Sequence, residues 1–312
     1  MELSGTLKKI IVITGPTATG KTVIGARLAK SQNGEVVSAD SMQVYKHLNI
    51  GAAKPTQDEM LGVPHHMIDV VEPHEDYSVS RYVHDASECV DDIIRRGKLP
   101  VIVGGTGLYI DSLLSGRDFS PRGDDAFRRE LEQRYEQTGG EAMLAELARI
   151  DPASAARLHA NDKKRIIRAL EVYGLSGKTI SQHDEETRRL PARYNASTIA
   201  LTFADRATLY ARIDRRVDAM LEMGFEDEVR ALLKMDIAPD CTAMQAIGYK
   251  EMVGAIRGEY SIGVTADHIK LHSRQYAKRQ LTWLRRNESI RWIAWDKEPD
   301  FKQISGLGFG RT

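Results

Sequence analysis

The 312-residue sequence predicts an α/β protein: a P-loop NTPase-like core built on a parallel sheet, with a helical insertion domain. Three observations predict it. Residues 15–22 read GPTATGKT, a full match to the P-loop pattern G-x-x-x-x-G-K-[ST], set between an apolar β-branched run and a helical stretch. Short, nearly all-apolar runs alternate with helical patterns through the N-terminal third, as in strands covered on both faces. Strand signals then stop from Phe119 to Asn195, where helical patterns follow one another, and return afterwards.

Taken in order, Lys9–Thr14 reads as the first strand and Val23–Ala29 as the helix it feeds. Gly34–Asp40 reads as a second strand ending on an acid. A helical pattern near Ser80–Arg96 precedes a third strand, Leu99–Gly104. Within the insertion, Asp125–Gln137, Glu141–Ile150, Pro152–Leu158 and Lys163–Leu175 read as helices. Ser197–Phe203 restores strand character, a helix follows over Ala207–Met223, and Ile290–Trp295 reads as the last strand. The core is therefore expected over 1–118 and 196–312, with the insertion over 119–195. Ligands of such sheets sit beyond the carboxyl ends of the strands. Residues 14–22, 40–43 and 104–107 all fall at such ends.

Composition narrows the function classes. There are 44 Lys+Arg against 44 Asp+Glu, so any polyanion must be met by local patches rather than by net charge. Cys89 and Cys241 stand far apart and form no CxxC, which suggests neither a zinc site nor a disulfide framework. The N-terminus, with two lysines and a short apolar run, reads as neither signal peptide nor membrane span, and a cytoplasmic protein is expected. Oligomeric state is not legible in the sequence, and a monomer is only the default.

The P-loop binds a definite chemical group. Backbone N–H groups of Gly15, Pro16–Gly20, Lys21 and Thr22 (Pro16 excepted) converge at a helix N-terminus, where an oxyanion cluster is favoured. Lys21 is expected to reach the phosphates and the Thr22 hydroxyl to hold a magnesium ion. Asp40 opens DSMQVYK at the end of the second strand. Beside a bound diphosphate it is placed to take a proton from an incoming nucleophile or to bind magnesium through water; capping a helix is the structural alternative. The third strand runs into Gly104-Gly105-Thr106-Gly107 with no acid, where many P-loop phosphotransferases keep a magnesium-holding Asp. A glycine turn admits another chain or a base close to the backbone, and Thr106 could hydrogen-bond it.

Two basic elements point to a polyanion. In Ser273–Arg286, wound as a helix, Arg274, Lys278 and Arg285 fall on one line with Arg279 and Arg286 beside it, opposite Tyr276, Leu281 and Leu284. That ridge fits a nucleic-acid backbone, and a solvated face is the alternative. Lys163, Lys164, Arg165 and Arg168, interleaved with Ile166 and Ile167, open a helix where cations are unfavourable unless an anion neutralises them. Arg212 and Arg216 share a helix face and could clamp phosphate or pair with Asp214 and Asp218. His65-His66 with Asp69 superficially suggests a metal cluster, but adjacent histidines point apart, and a structural role is expected.

At this point the residues resemble the tRNA dimethylallyltransferase (tRNA isopentenyltransferase) family of bacterial type. The motifs are GPTATGKT at 15–22, DSMQVYK at 40–46, GVPHHMID at 62–69, VGGTGLY at 103–109, KRIIRALEV at 164–172, QAIGYKEM at 245–252 and YAKRQLTWLRR at 276–286. The first part of the insertion and the tail after Asp296 offer little to compare. The resemblance implies transfer of a dimethylallyl group from dimethylallyl diphosphate to the exocyclic N6 amine of the adenosine 3′-adjacent to the anticodon (tRNA position 37), in tRNAs reading codons that begin with U. It implies Asp40 as base, with Lys21 and Thr106 in the catalytic group, and Mg2+ as cofactor through Thr22. Arg216 is then placed on the diphosphate or the tRNA. Asp40, Ser41, Met42, Gln43, Thr106 and Arg128 are implied to lie against the RNA. Lys164, Arg165, Ile166, Ile167 and Arg168, with Arg274, Lys278, Arg279 and Arg285, are implied to hold the backbone of an anticodon stem-loop. A P-loop small-molecule or nucleoside kinase is the alternative, which needs ATP and no RNA.

Overall fold

Ile10, Ile11, Val12 and Ile13 are all buried, on both faces of their strand, which places that strand inside a sheet rather than at its edge. A computed structural model describes residues 8–116 and 123–305. The chain divides into two compact units, residues 1–114 with 193–312, and residues 115–192.

The first unit runs β1 (Lys9–Thr14), α1 (Lys21–Ser31), β2 (Gly34–Ser38), α2 (Gln57–Met60), β3 (His65–His66), α3 (Val79–Arg95), β4 (Leu99–Val103) and α4 (Gly107–Ser115). The second unit contains α5 (Asp125–Thr138), α6 (Gly140–Ile150), α7 (Pro152–Ala155), α8 (Lys163–Ser176) and α9 (Ile180–Arg189). The chain then returns to the first unit with β5 (Asn195–Phe203), α10 (Arg206–Glu222), α11 (Phe225–Lys234), α12 (Tyr249–Ile256), α13 (Ile262–Leu284), β6 (Arg291–Trp295) and α14 (Lys302–Ser305).

Six strands form one sheet in the order β3-β2-β4-β1-β5-β6, and every pairing is parallel. The core beneath it joins Ile11 and Ile13 of β1, Ile24 and Leu28 of α1, Val101 and Val103 of β4, Leu201 and Phe203 of β5, and Trp295 of β6. This order sets the ends of β2 and β4 next to the P-loop that follows β1. The ends lock together: Ala39 N–H donates to Val103 C=O at 2.8 Å, and Gly104 N–H to Ile13 C=O at 3.2 Å.

Several sequence expectations change in detail. The insertion spans 115–192 rather than 119–195, because Asn195 already pairs with Lys9 in the sheet. Its expected start at Phe119 lies outside the described residues. Strand β3 is too short to show a period, and its register comes from Val36 and Val37 of β2. The helix expected over Pro152–Leu158 closes at Ala155, after an N-cap in which Asp151 accepts from Ser154 N–H at 3.0 Å. Helix α9, polar in sequence after Ile180, which packs on the unit's core, starts at a Thr179–Gln182 capping box.

Candidate active site

The P-loop is shaped by glycines that have no space for a side chain. Gly15 (φ 138°) lies where a Cβ would come within 2.2 Å of the Leu201 carbonyl oxygen, and Gly20 (φ 82°) where it would meet Pro299 at 2.7 Å. Three carbonyls of the loop are taken from behind. Thr19 Oγ1 donates to Pro16 C=O at 2.8 Å, Arg212 Nε to Ala18 C=O at 3.2 Å, and Trp295 Nε1 to Thr19 C=O at 3.1 Å. Arg212 therefore braces the loop, and its second partner is Glu298 rather than Asp214 or Asp218.

Lys21 turns its ammonium onto Pro16 C=O at 2.7 Å. Burial first, and the Arg216 guanidinium next, pull it down to about 7, while Asp40 acts in the opposite direction. Arg216 is itself held below its ordinary value by burial, and no carboxylate among the described residues pairs with it. Two inward basic groups thus lie beside a single acid, a balance that favours an anion.

Asp40 Oδ1 accepts Met42 N–H at 2.9 Å, so the carboxylate is anchored by one oxygen. Thr106 Oγ1 accepts Ser41 N–H at 3.1 Å, and Thr106 N–H donates to Ala39 C=O at 3.1 Å. Gln43 is engaged on both sides: Ser38 Oγ donates to its Oε1 at 2.9 Å, and its Nε2 donates to Ala53 C=O at 3.2 Å. The glycine turn after β4 does not stand open, as its sequence suggested. A Cβ at Gly104 would reach Ala39 O at 2.1 Å, one at Gly105 would reach Gln280 Nε2 at 2.3 Å, and one at Gly107 would reach the Trp283 ring at 2.3 Å. The close approach is made by this chain's own β2 end and α13.

Two cavities meet at Asp40. One of about 80 Å³ is lined by Lys21, Thr22, Ser38, Asp40, Gln43 and Arg216 among others. The other, about 320 Å³, has apolar walls from α10 and α11 (Ile213, Met220 and Phe225) and the exposed Arg279 at its margin. Thr17, Asp40, Arg216 and Tyr276 line both. Asp40 therefore faces a phosphate-sized pocket and an apolar pocket at once.

The cations expected on α13 and just past its end at Leu284 separate into two kinds. Arg274 is half-buried and paired with Asp214 at 2.7 Å, so it is a strut of α10–α13 packing and not part of an open ridge. Lys278, Arg279, Arg285 and Arg286 are exposed, with Arg279 over the Tyr276 ring and Arg286 over that of Trp283. In the helical unit, taken by itself, Ile166 and Ile167 are buried in its core and their side chains cannot meet RNA. Arg128 and Arg168 both grip the fully buried Glu171, and Lys163 pairs with Glu136 at 2.5 Å. Lys164 and Arg165 remain exposed. His66 holds Glu35 at 2.8 Å and Lys54 holds Asp69 at 2.5 Å, which accounts for the apparent metal cluster.

Sequence reasoning missed Tyr276 and Gln280 as site residues. Tyr276 is pushed up to about 12 by burial and so remains a neutral phenol. Gln280 left a legible signal: a polar residue between Ala277 and Leu284 on the buried face of a helix.

Comparison with known proteins decides the family. The sequence profile described as IPP transferase matches residues 43–287, and that described as isopentenyl transferase matches residues 8–74. The chain belongs to the IPP transferase family. It is 45% identical over 305 residues to a tRNA dimethylallyltransferase of Acetivibrio thermocellus, covering 97% of each chain. A Geobacter sulfurreducens protein of the same description is 43% identical over 304 residues, again with 97% of each covered. A solved structure of a full-length tRNA isopentenylpyrophosphate transferase from Bacillus halodurans aligns at TM-score 0.72 and 42% identity, over 97% of this chain and 94% of that one. A eukaryotic dimethylallyltransferase described as acting on tRNA aligns at TM-score 0.77 and 33% identity, over 89% of this chain and 70% of that one. This member is accordingly an enzyme, a prenyltransferase with a P-loop-like α/β core.

Proposed function

We propose that this enzyme moves a dimethylallyl group from dimethylallyl diphosphate to N6 of adenosine 37 in tRNAs that read codons beginning with U. The carbon–oxygen bond to diphosphate breaks, a carbon–nitrogen bond forms, and the amine proton passes to Asp40. One observation carries the reading: Asp40 lines both the small P-loop pocket and the apolar pocket beside Arg279. A base at that junction meets the nucleophile on one side and the leaving group on the other.

The remaining loop amides and Lys21 bind the diphosphate, and Arg216 completes its charge neutralisation. Thr22, Ser38, Asp40 and Gln43 offer oxygen donors in one pocket, chemistry that suits magnesium. Thr22 would hold the magnesium ion, which would supply charge stabilisation to the departing diphosphate. Thr106 keeps the 40–43 turn in place through Ser41. An adenine must leave its stack to reach Asp40. Lys164, Arg165, Lys278, Arg279 and Arg285 are exposed cations able to hold the RNA backbone.

The test mixes protein and magnesium with an unmodified anticodon stem-loop and either labelled dimethylallyl diphosphate or γ-labelled ATP. Label moves from the prenyl donor to RNA. Label moving from ATP to a small acceptor, with RNA left unlabelled, overturns the reading in favour of a kinase.

A further inference from the structure

Gln280 is 7% exposed on the inner face of α13, yet its side chain is a carboxamide. It accepts Thr17 N–H at 2.9 Å and donates to Gly105 C=O at 2.9 Å. These partners determine which way the amide points, since an N–H requires the oxygen and a C=O requires the nitrogen. A flipped amide loses both bonds. The space is made for it at Gly105, where any side chain would strike Gln280 Nε2.

Both anchored segments belong to the reacting machinery. Thr17 is in the P-loop and lines the two cavities with Asp40. Gly105 precedes Thr106, which holds Ser41 next to Asp40. On α13 itself, Gln280 follows the exposed Arg279 and lies one turn after Tyr276, which lines the same cavities.

We propose that Gln280 is a positioning residue: it sets the separation between the diphosphate loop and the Asp40–Thr106 turn, and ties that separation to the helix carrying Lys278 and Arg279. It also withdraws the Thr17 N–H from the loop amides open to a diphosphate. The kinetic part rests on the prenyl-transfer reading, whereas the effect on the loop does not.

Two substitutions separate this role from mere packing. Gln280→Leu removes both bonds at similar volume. Gln280→Glu keeps an acceptor for Thr17 but sets a carboxylate oxygen against Gly105 C=O. Protonation of that carboxyl restores a donor, and the missing bond with it.

The experiment compares wild type and both variants by thermal melting, by titration with inorganic diphosphate and magnesium, and by kcat and KM for each substrate from acid to alkaline pH. In Gln280→Leu, kcat falls about 10- to 100-fold. Its KM for tRNA stays within about two-fold. Diphosphate affinity falls about ten-fold as the loop loses its preorganisation. In Gln280→Glu, kcat relative to wild type rises about five-fold or more between about pH 8 and about pH 6. Folded variants with wild-type kcat and wild-type diphosphate affinity overturn the proposal. So does a loss that follows melting temperature and is equal at every pH. If wild type transfers no prenyl group, the reaction assignment fails, and the diphosphate titration alone decides whether Gln280 shapes the loop.

Discussion

Lys21, Arg216 and Asp40 set the charge balance of the P-loop pocket at the residue scale. Lys21 is pulled down to about 7 because burial and Arg216 disfavour its charged form more than Asp40 favours it. A diphosphate bound there would reverse that balance and raise the value. Binding at pH above about 7 therefore takes up a proton, and affinity falls as pH rises through that range. Calorimetry in buffers of different ionisation enthalpy checks this. The uptake disappears in Lys21→Met. For Asp40→Asn, the amide keeps the turn but accepts no proton. The expected loss in kcat is about 100- to 10,000-fold, with tRNA affinity within a few-fold. Near-normal single-turnover rates in that variant would remove Asp40 as the base.

At the scale of elements, α13 does three things along one helix. Arg274 ties it to α10, Gln280 and Trp283 seat it on the turn after β4, and Lys278 and Arg279 face solvent. Two arginines five residues apart should then behave differently. Arg279→Ala weakens tRNA binding and reduces the salt slope by about 1. Arg274→Ala leaves that slope unchanged and costs about 1 kcal/mol of stability or less, as half-exposed pairs do. Filter-binding across salt concentrations and denaturant melts separate the two. The turn after β4 is rigid for a related reason. Gly104→Ala forces a methyl against the Ala39 carbonyl and should destabilise the protein by about 1–3 kcal/mol, read from chemical denaturation.

For the whole molecule, the division into two units has a simple physical signature: Arg193 N–H donates to Leu114 C=O at 3.0 Å, so the chain leaves and re-enters the sheet unit at one point. The helical unit has its own core, Leu131, Met143, Leu147, Ile166, Ile167 and Leu170. Replacing 115–192 by a short glycine linker should leave the sheet unit folded and able to bind diphosphate. Affinity for the stem-loop should fall, because Lys164 and Arg165 go with the excised unit. A shortened protein that melts cooperatively but has lost diphosphate binding would show that the P-loop site depends on the insertion.

The sequence by itself determined the strand–loop–helix of the P-loop, the parallel sheet and the helical insertion. Those follow from local signals: period, glycine spacing and apolar runs that need two covered faces. It also put Lys21, Thr22, Asp40 and Thr106 at strand ends, where sheet topology brings them together. Partnership was decided only by tertiary structure. Arg274 read as part of an exposed ridge, and Arg128 was implied to lie against RNA, because Asp214 and Glu171 are distant in sequence and only packing sets these side chains in contact. Ile166 and Ile167 sit in a basic run whose inward face is invisible without the helices around it. Gln280 reaches Thr17 and Gly105 across more than half the chain, and no local pattern encodes a bond between residues that distant; folding alone creates it.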